Sequence, residues 1–325
     1  MHYKSLFCHL SCPRCLKPWK KTVWKNSTKG TIIFTCDHAY PIINTIPVLV
    51  PKLHGSKKQT QLSFGSKWTS QPSWGFSKHT ARFMERWILE KYGWKTKSKL
   101  TSFLSHKKNI LDAGCGTGRD TLKFARLSPH AHVWGVDFSD SVFAAPPAVM
   151  KRDNTLIVKA DLTMLPFSHG FFDFIYSEGV IHHTPDPYAT FTALVNRLAH
   201  GGEIALYVYH KKPPVREFTD TYLREKTTQM SDKECWKFSK DLTRLGKIFS
   251  AHNKKYRIAQ SIPLLHIQPG RYTIQDILYN YFIKSFWNSR FSFKENALIN
   301  FDWYHPYYAY SFTVHELRRW FQKKR

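Results

Sequence analysis

The sequence predicts an α/β fold, a doubly wound parallel sheet, on three observations. The run Asn109 to Asp112 ends in an acid, meets a turn with three glycines, and continues as helix-prone sequence to Ala125. Strand-like runs and helical patterns then alternate through the next part of the chain. The second strand-like run, His132 to Val136, also ends in an acid, Asp137, about twenty residues beyond the glycines. Strand, glycine turn and helix in that order build a cofactor cradle at the carboxyl ends of the strands.

The spacing of the glycines narrows the ligand. Dinucleotide folds favour G-x-G-x-x-G, which sets a helix N-terminus against a pyrophosphate. Here Gly114, Gly116 and Gly118 read G-x-G-x-G, and Asp112 stands two residues before the first. An acid facing the ligand suits a cationic group and repels a phosphate. The stretch Asp112-Ala113-Gly114-Cys115-Gly116-Thr117-Gly118 resembles the first motif of class I S-adenosylmethionine-dependent methyltransferases. The resemblance implies a Rossmann-like sheet, S-adenosylmethionine as cofactor, and a glycine loop that holds its methionyl half. A nucleotide-binding turn of another α/β protein is the competing reading.

The later strands extend the resemblance. Asp137-Phe138-Ser139 matches the second motif, where a carboxylate accepts the ribose hydroxyls. Thr155 to Ala160 reads as the third strand, and Asp161-Leu162 follows it. In the family that acid accepts from the adenine amino group and the next backbone N–H meets a ring nitrogen. An Asp capping the next turn is the plainer reading, and both jobs are compatible. Phe172 to Ser177 reads as the fourth strand and leads into Glu178-Gly179-Val180-Ile181-His182-His183-Thr184-Pro185-Asp186-Pro187. This run is similar to the fourth-strand motif of type 11 methyltransferases, and it adds Ser177, Glu178 and Gly179 to the implied cofactor set. His182 and His183 would stand beside the methyl group. Either one could act as base or acceptor ligand, since an imidazole titrates near neutrality. The plain alternative is a histidine packed and hydrogen-bonded in a loop. Gly201-Gly202 is expected to turn the chain into a fifth strand from Glu203 to Tyr209.

Residues 1–55 read as a small module. Cys12-Pro13-Arg14-Cys15 is a C-x-x-C knuckle, Cys36 follows a β-like run, and Tyr40-Pro41-Ile42 and Ile46-Pro47-Val48-Leu49 come next. So few short strands make a poor core, and a structural metal stabilises such folds. The pattern resembles the zinc-ribbon segment ahead of some bacterial methyltransferases and the small activator subunit of tRNA and protein methyltransferases. The second pair of that family is incomplete here, because Ile33 stands where a partner of Cys36 is expected. One structural zinc on Cys12, Cys15 and Cys36 is expected, with His38 as fourth ligand ahead of Cys8 or His9. Buried free thiols are the alternative. The Lys-rich segment Lys17 to Lys29 is expected as a projecting loop.

A polar linker is expected from Pro51 to Trp74, and residues 56–108 take in most of it with a helix from His79 to Tyr92, stopped by Gly93. Phe64-Gly65-Ser66-Lys67-Trp68 stands where related methyltransferases carry a segment over the cofactor, with Trp68 read as a packing residue. The core is placed at residues 109–210. Residues 211–300 form a helical insertion, opened by Pro213-Pro214 and dense in aromatics from Tyr272 to Phe293. Such an insertion would serve as an acceptor lid, although most of those rings must pack on one another. Residues 301–325 return to a family-like pattern with a last core helix from Val314. No strand is read after it, so the closing hairpin of the family is expected to be absent, with the sheet edge left exposed or covered by the ribbon or a partner chain, or else the reading frame is truncated.

Composition bounds the function. The 325 residues carry 42% hydrophobic and 16% aromatic side chains, ample for a large core. No apolar run reaches the length of about 18 residues needed to span a bilayer, and no secretory signal is apparent. Six cysteines without extracellular context favour metal or free thiols, and the cytoplasm is the expected location. Lys and Arg number 49 against 23 acids, a net charge of +26. That excess fits a polyanion partner or, because the cations are dispersed, a solvated surface. The expected activity is methyl transfer to a small-molecule, carbohydrate or lipid-linked acceptor. RNA methylation on the basic surface and a non-catalytic cofactor-binding scaffold are the alternatives.

Overall fold

The N-terminal segment closes into a four-stranded antiparallel sheet of β1 (Trp19–Trp24), β2 (Gly30–Phe34), β3 (Ala39–Ile43) and β4 (Ile46–Pro47). Ile32 and Phe34 alternate to the buried side of β2 and supply its small core with Phe7, Leu10 and Ile42. The segment expected as a Lys-rich loop is instead β1 and its turn. Its residues pair with β2 from Trp19↔Phe34 to Trp24↔Gly30. Lys20 and Lys21 stay exposed on this edge strand, where charge discourages further pairing.

This is a computed structural model, and it describes residues 2–50, 55–70, 74 and 76–324. The ends of the expected linker, residues 51–54 and 71–73, lie outside the described residues. Its middle is helical: α1 spans Gly55–Ser70. No apolar period announces that helix, because the positions it buries most deeply are the small polar Thr60 and Ser63. α2 (Lys78–Lys91) follows, with Ser77 as its cap, and then α3 (Lys97–Leu104), capped by Thr96.

The core sheet is parallel throughout and comprises β5 (Asn109–Ala113), β6 (His132–Asp137), β7 (Thr155–Lys159), β8 (Phe172–Glu178) and β9 (Leu198–Tyr207). Their order is β7-β6-β5-β8-β9. The chain therefore winds outward from β5 in one direction and from β8 in the other, which opens a crevice at the carboxyl ends of these two strands. Between the strands lie α4 (Arg119–Leu127), the single turn α5 (Pro147–Met150) and α6 (Pro187–Val195). Leu89 of α2, Leu100 and Leu104 of α3 and Phe124 of α4 pack on Ile110, Val133, Phe174 and Tyr176. On the opposite face Trp134 meets Phe167 edge-on, with ring centroids 5.2 Å apart.

Two expectations about the sheet change. β9 begins at Leu198 rather than after the glycine pair. Leu198 pairs with Phe172, the register slips at Gly201-Gly202, and pairing resumes at Glu203↔Phe174. Gly201 takes φ +73° there, which glycine adopts without strain. The ribbon does not lie along β9. It extends the opposite edge, where Val48 bridges Lys159 of β7 and the Leu49 N–H donates to the Lys159 carbonyl at 2.8 Å.

The chain divides into two units, residues 1–208 with 320–325, and residues 209–319. The second unit holds α7 (Pro214–Thr227), α8 (Asp232–Ser250), the hairpin β10 (Tyr256–Ile258) and β11 (Gly270–Tyr272), the short α9 (Ile274–Ile277) and α10 (Phe293–Tyr304). α10 runs through the boundary expected at residue 300, so Phe301 to Tyr304 belong to this unit and not to a resumed core. Phe301 and Tyr304 are buried in it, and Trp236 stacks on Phe301 at 4.3 Å. The aromatics therefore mostly pack on each other, as Tyr279–Phe286 and Phe286–Phe291 also do. The last helix, α11 (Val314–Gln322), brings Trp320 and Phe321 onto Phe191 of α6. Among the described residues no helix is long and apolar enough to cross a membrane.

Trp134 is fully buried between the sheet and His9 of the ribbon, whose ring lies 5.8 Å away. Trp134→Ala should cost about 3–5 kcal/mol. Urea unfolding checks this, and a loss below about 1 kcal/mol would contradict the packing described.

Candidate functional site

The glycine turn is shaped by its backbone. Gly114, Gly116 and Gly118 take φ of +86°, +57° and +84°. A Cβ on Gly114 would stand 2.2 Å from the side chain of Val180, so no other residue fits that position. The N–H groups of Gly114 and Cys115 both donate to the Val136 carbonyl, at 2.7 and 3.0 Å. The Gly116 N–H donates to Asp137 Oδ2 at 2.9 Å, while Asp137 Oδ1 accepts from the Ser139 N–H at 2.8 Å and its hydroxyl at 2.6 Å. Asp137 is thus both at the predicted place and already tied to the turn. Three of the roughly four acceptor positions of a carboxylate are used, which leaves about one for a ligand. Burial raises its pKa, against those hydrogen bonds.

Asp112 departs from the sequence expectation. Along β5 it shares a face with Ile110, the face covered by α4, and so it is buried and accepts from Thr121 Oγ1 at 2.6 Å. Burial first, and Asp120 second, push its pKa up. Asp112 therefore acts from beneath the turn and does not face a ligand as an open charge. Thr117 does carry an unmet need: its Oγ1 is buried and has no hydrogen-bond partner among the described residues. A polar ligand in the turn would satisfy it. Ala113 gives its carbonyl to Ser177 Oγ at 3.0 Å, which ties β5 to β8.

Helix α1 lies across three strand ends. Lys57 Nζ pairs with Asp161 Oδ2 at 3.1 Å, Gln61 donates to the Phe138 carbonyl at 3.1 Å, and Trp68 lies against Gly116. Asp161 meanwhile caps its own turn through the Thr163 N–H at 2.9 Å, and Leu162 is buried. The plain reading of Asp161 is therefore realised, with lone pairs left over.

A second cluster gathers at the end of β8. Glu178 accepts hydrogen bonds from the hydroxyls of Tyr92 and, at 3.4 Å, Tyr176. Burial raises its pKa to about 7. Close by in the chain fold, Arg119 pairs with Asp120, and Lys123 pairs with the same carboxylate at 2.8 Å. Sequence reasoning missed Tyr92, Arg119 and Asp120. Arg119-Asp120 directly follows the glycine motif and was a readable signal, whereas the partner of Tyr92 lies 86 residues away. Gly179 turns with φ +71° and donates to the Tyr207 carbonyl. His182 is fully buried and His183 nearly so, their rings 4.2 Å apart, with Phe64 of α1 edge-on to His183.

The ribbon brings Cys12, Cys15, Cys36 and His38 together, all ligand atoms within 4.8 Å of one another. His38 Nδ1 lies 3.3 Å from Cys12 Sγ and 3.4 Å from Cys36 Sγ. A tetrahedral zinc on three thiolates and one imidazole has ligand–ligand edges of about 3.5–3.8 Å, so this set fits the ion. Leu16 and Asp37, at φ +59° and +60°, make the two knuckles that turn the ligands inward. Cys8 and His9 fall outside the set: Cys8 donates to the Ser5 carbonyl, and His9 packs near Trp134.

Residues 111–206 match a methyltransferase domain family. An uncharacterised protein of Synechococcus is 36% identical over 32% of this chain and 26% of its own length. A trans-aconitate 2-methyltransferase of Deinococcus radiodurans is 32% identical over 30% of this chain and 37% of its own. A probable tRNA methyltransferase 9B of Mus musculus is 28% identical over 37% and 26%. The chain spans between a quarter and a half of the length of the first curated relatives it matches.

Two outcomes follow. Metal analysis of the chain purified without a His tag should give about one zinc, lost in Cys36→Ser, and a folded metal-free protein would contradict this. Glu178 also makes stability fall with pH. Its proton is held in the fold up to about pH 7 but is lost near 4.5 in the unfolded chain. Its contribution is therefore fully present below about pH 4.5 and gone above about 7. Between pH 5 and 8 the stability of wild type relative to Glu178→Gln should drop by roughly 2 kcal/mol, measured by urea unfolding at both pH values. An unchanged difference would place Glu178 in water.

Proposed function

We propose that this chain, whose residues 111–206 form a class I S-adenosylmethionine-dependent methyltransferase domain, methylates a small-molecule, carbohydrate or lipid-linked acceptor. The observation that supports this most is the meeting of the glycine turn, Asp137 and Asp161 at the carboxyl ends of three adjacent strands, all beneath α1. When bound, S-adenosylmethionine supplies a methyl group already activated by its sulfonium. Within that reading the turn from Gly114 to Gly118 holds the amino-acid end, with the Thr117 hydroxyl finding its partner there. Asp137 takes a ribose hydroxyl through its remaining acceptor position. Asp161 and the Leu162 N–H address the base.

The protein's further task is to align an acceptor and exclude water. A base is required only for an acceptor that loses a proton. His183, beside Phe64 of α1, suits that role better than the fully enclosed His182. Glu178, half protonated near neutrality, is the other candidate. The second unit has a cleft of its own, about 430 Å³, lined by Tyr209, Trp303, Tyr307, Glu217 and Arg224 among others.

RNA is the second reading, favoured by the net charge of +26. Asp137→Ala should weaken S-adenosylmethionine binding at least about tenfold by calorimetry, since a charge-assisted hydrogen bond and the anchor of Gly116 are lost together. Absence of cofactor binding by the intact chain would end the enzyme reading. Transfer of labelled methyl to a cell extract, with and without nuclease, separates the acceptors. A small neutral acceptor leaves activity nearly indifferent to salt, whereas single-stranded RNA imposes a slope of log K on log salt of about −0.7 per phosphate neutralised.

A further inference from the structure

A cleft of about 320 Å³ opens in the first unit between α2, α4 and the start of α3. Five cations line it: Arg82 of α2, Lys97 of α3, and Arg119, Lys123 and Arg126 of α4. Of the implied cofactor residues none lines it, although Arg119 directly follows Gly118. Its remaining wall is largely apolar, from Phe76, Met84, Leu122 and Leu127.

The charges in this cleft are not balanced. Asp120 neutralises one of its two partners, Arg119 and Lys123, and Glu85 is the single acid of the lining. Five cations against these two carboxylates leave an excess of three positive charges. Among the described residues Arg82, Lys97 and Arg126 form no ion pair, and all three are exposed at the mouth. Deeper in, Arg119 Nε is buried with no hydrogen-bond partner. Helix energetics oppose the arrangement. Arg119 and Lys123 are like charges at i,i+4, and a cation on the first residue of α4 faces the positive end of the helix dipole. Asp120 offsets part of this cost, but one carboxylate faces both cations, and a bound anion would offset the rest.

We propose that this cleft is an anion-binding site for a phosphate or pyrophosphate group carried on a small apolar or aromatic scaffold. A carboxylate would cancel a third of the excess charge. A phosphate monoester, at about −1.5 to −2, or a pyrophosphate cancels most of it. Three of the five cations are arginines, whose planar forks match phosphate oxygens in pairs. The volume sits at the lower end of the range for small-ligand pockets, about 300–1,000 Å³. The apolar wall asks for more than a bare ion. A nucleic-acid strand would instead need cations set out along a track, and these five share one cleft.

Calorimetry on the full chain tests the proposal without reference to methyl transfer or to the cofactor. The probes are phenyl phosphate, pyrophosphate and a short single-stranded oligouridylate. Phenyl phosphate and pyrophosphate should bind saturably. The double variant Arg82→Gln/Arg126→Gln should weaken them by at least about tenfold, and Lys97→Gln, on a separate element, should weaken them less. All three positions are exposed, so an unchanged thermal melt is expected alongside. No saturable binding at millimolar ligand, or binding undiminished in the double variant, overturns the site. Oligouridylate binding that the double variant abolishes, with no binding of either small probe, overturns it in favour of a docked strand.

Discussion

The carboxylate of Asp137 is the constraint on which the cradle depends. One of its oxygens holds the Gly116 N–H, and the other holds the backbone and side chain of Ser139. The glycine turn is thereby fastened to the end of the neighbouring strand, and its three left-handed glycines are fixed in relation to β6. A turn of glycines is otherwise the most flexible element a chain can make, because each loses the most entropy on ordering. Burial makes the attachment strong, since an ionised carboxylate out of water must find donors nearby. The same burial makes the group sensitive. Removing Asp137 would free the Gly116 end of the turn, while Gly114 and Cys115 stay tied to the Val136 carbonyl.

Most of the sheet was legible from the sequence, because each strand carries a signal that needs no partner. An apolar run, an acid at its end and a glycine or proline beyond it fix type and direction together. The gathering of Cys12, Cys15, Cys36 and His38 was legible too, once a C-x-x-C was set beside Cys36 and His38. What escaped the reading depends on pairings across the chain. Helix α1 buries Thr60 and Ser63 rather than an apolar stripe, so composition hid it as a linker. Lys20 and Lys21 looked like a loop because their strand is an exposed edge, paired on one side only. Asp112 was read as facing a ligand, yet strand parity sets it on the face of Ile110, under α4. That last point was recoverable, since alternation along β5 settles which side chains share a face.

The second unit solves its core differently from the first. At its centre Arg216, almost fully buried, donates to Asp220, which also accepts from Trp303 Nε1 at 3.0 Å and Tyr304 OH at 2.9 Å. Lys284 lies with its ammonium 3.7 Å from the Trp303 ring centroid, and burial lowers its pKa. Such a network adds little stability over aliphatic packing, because desolvation offsets most of the attraction. It does restrict geometry, since every donor must meet one acceptor. The aromatic density that suggested a lid is explained in good part by this polar core and the rings stacked around it.

The acids near the glycine turn complete the electrostatic picture. Asp120 has Arg119 and Lys123, and those two cations hold its pKa below the usual carboxylate range despite burial. Among the described residues Asp112 and Glu178 form no ion pair, and burial raises both. The division is a consequence of placement. Arg119 and Lys123 are on α4, within reach of Asp120 on the same helix, and the β5 and β8 acids are satisfied by hydroxyls from Thr121, Tyr92 and Tyr176. Burial keeps both carboxyls partly protonated against the pull of those hydroxyl donors, and each can ionise further when a positive group approaches, because the approaching charge lowers the cost of the ionised form. The crevice can therefore gain negative charge in response to a cationic ligand. A sulfonium and an ammonium are the two cations that S-adenosylmethionine would bring there.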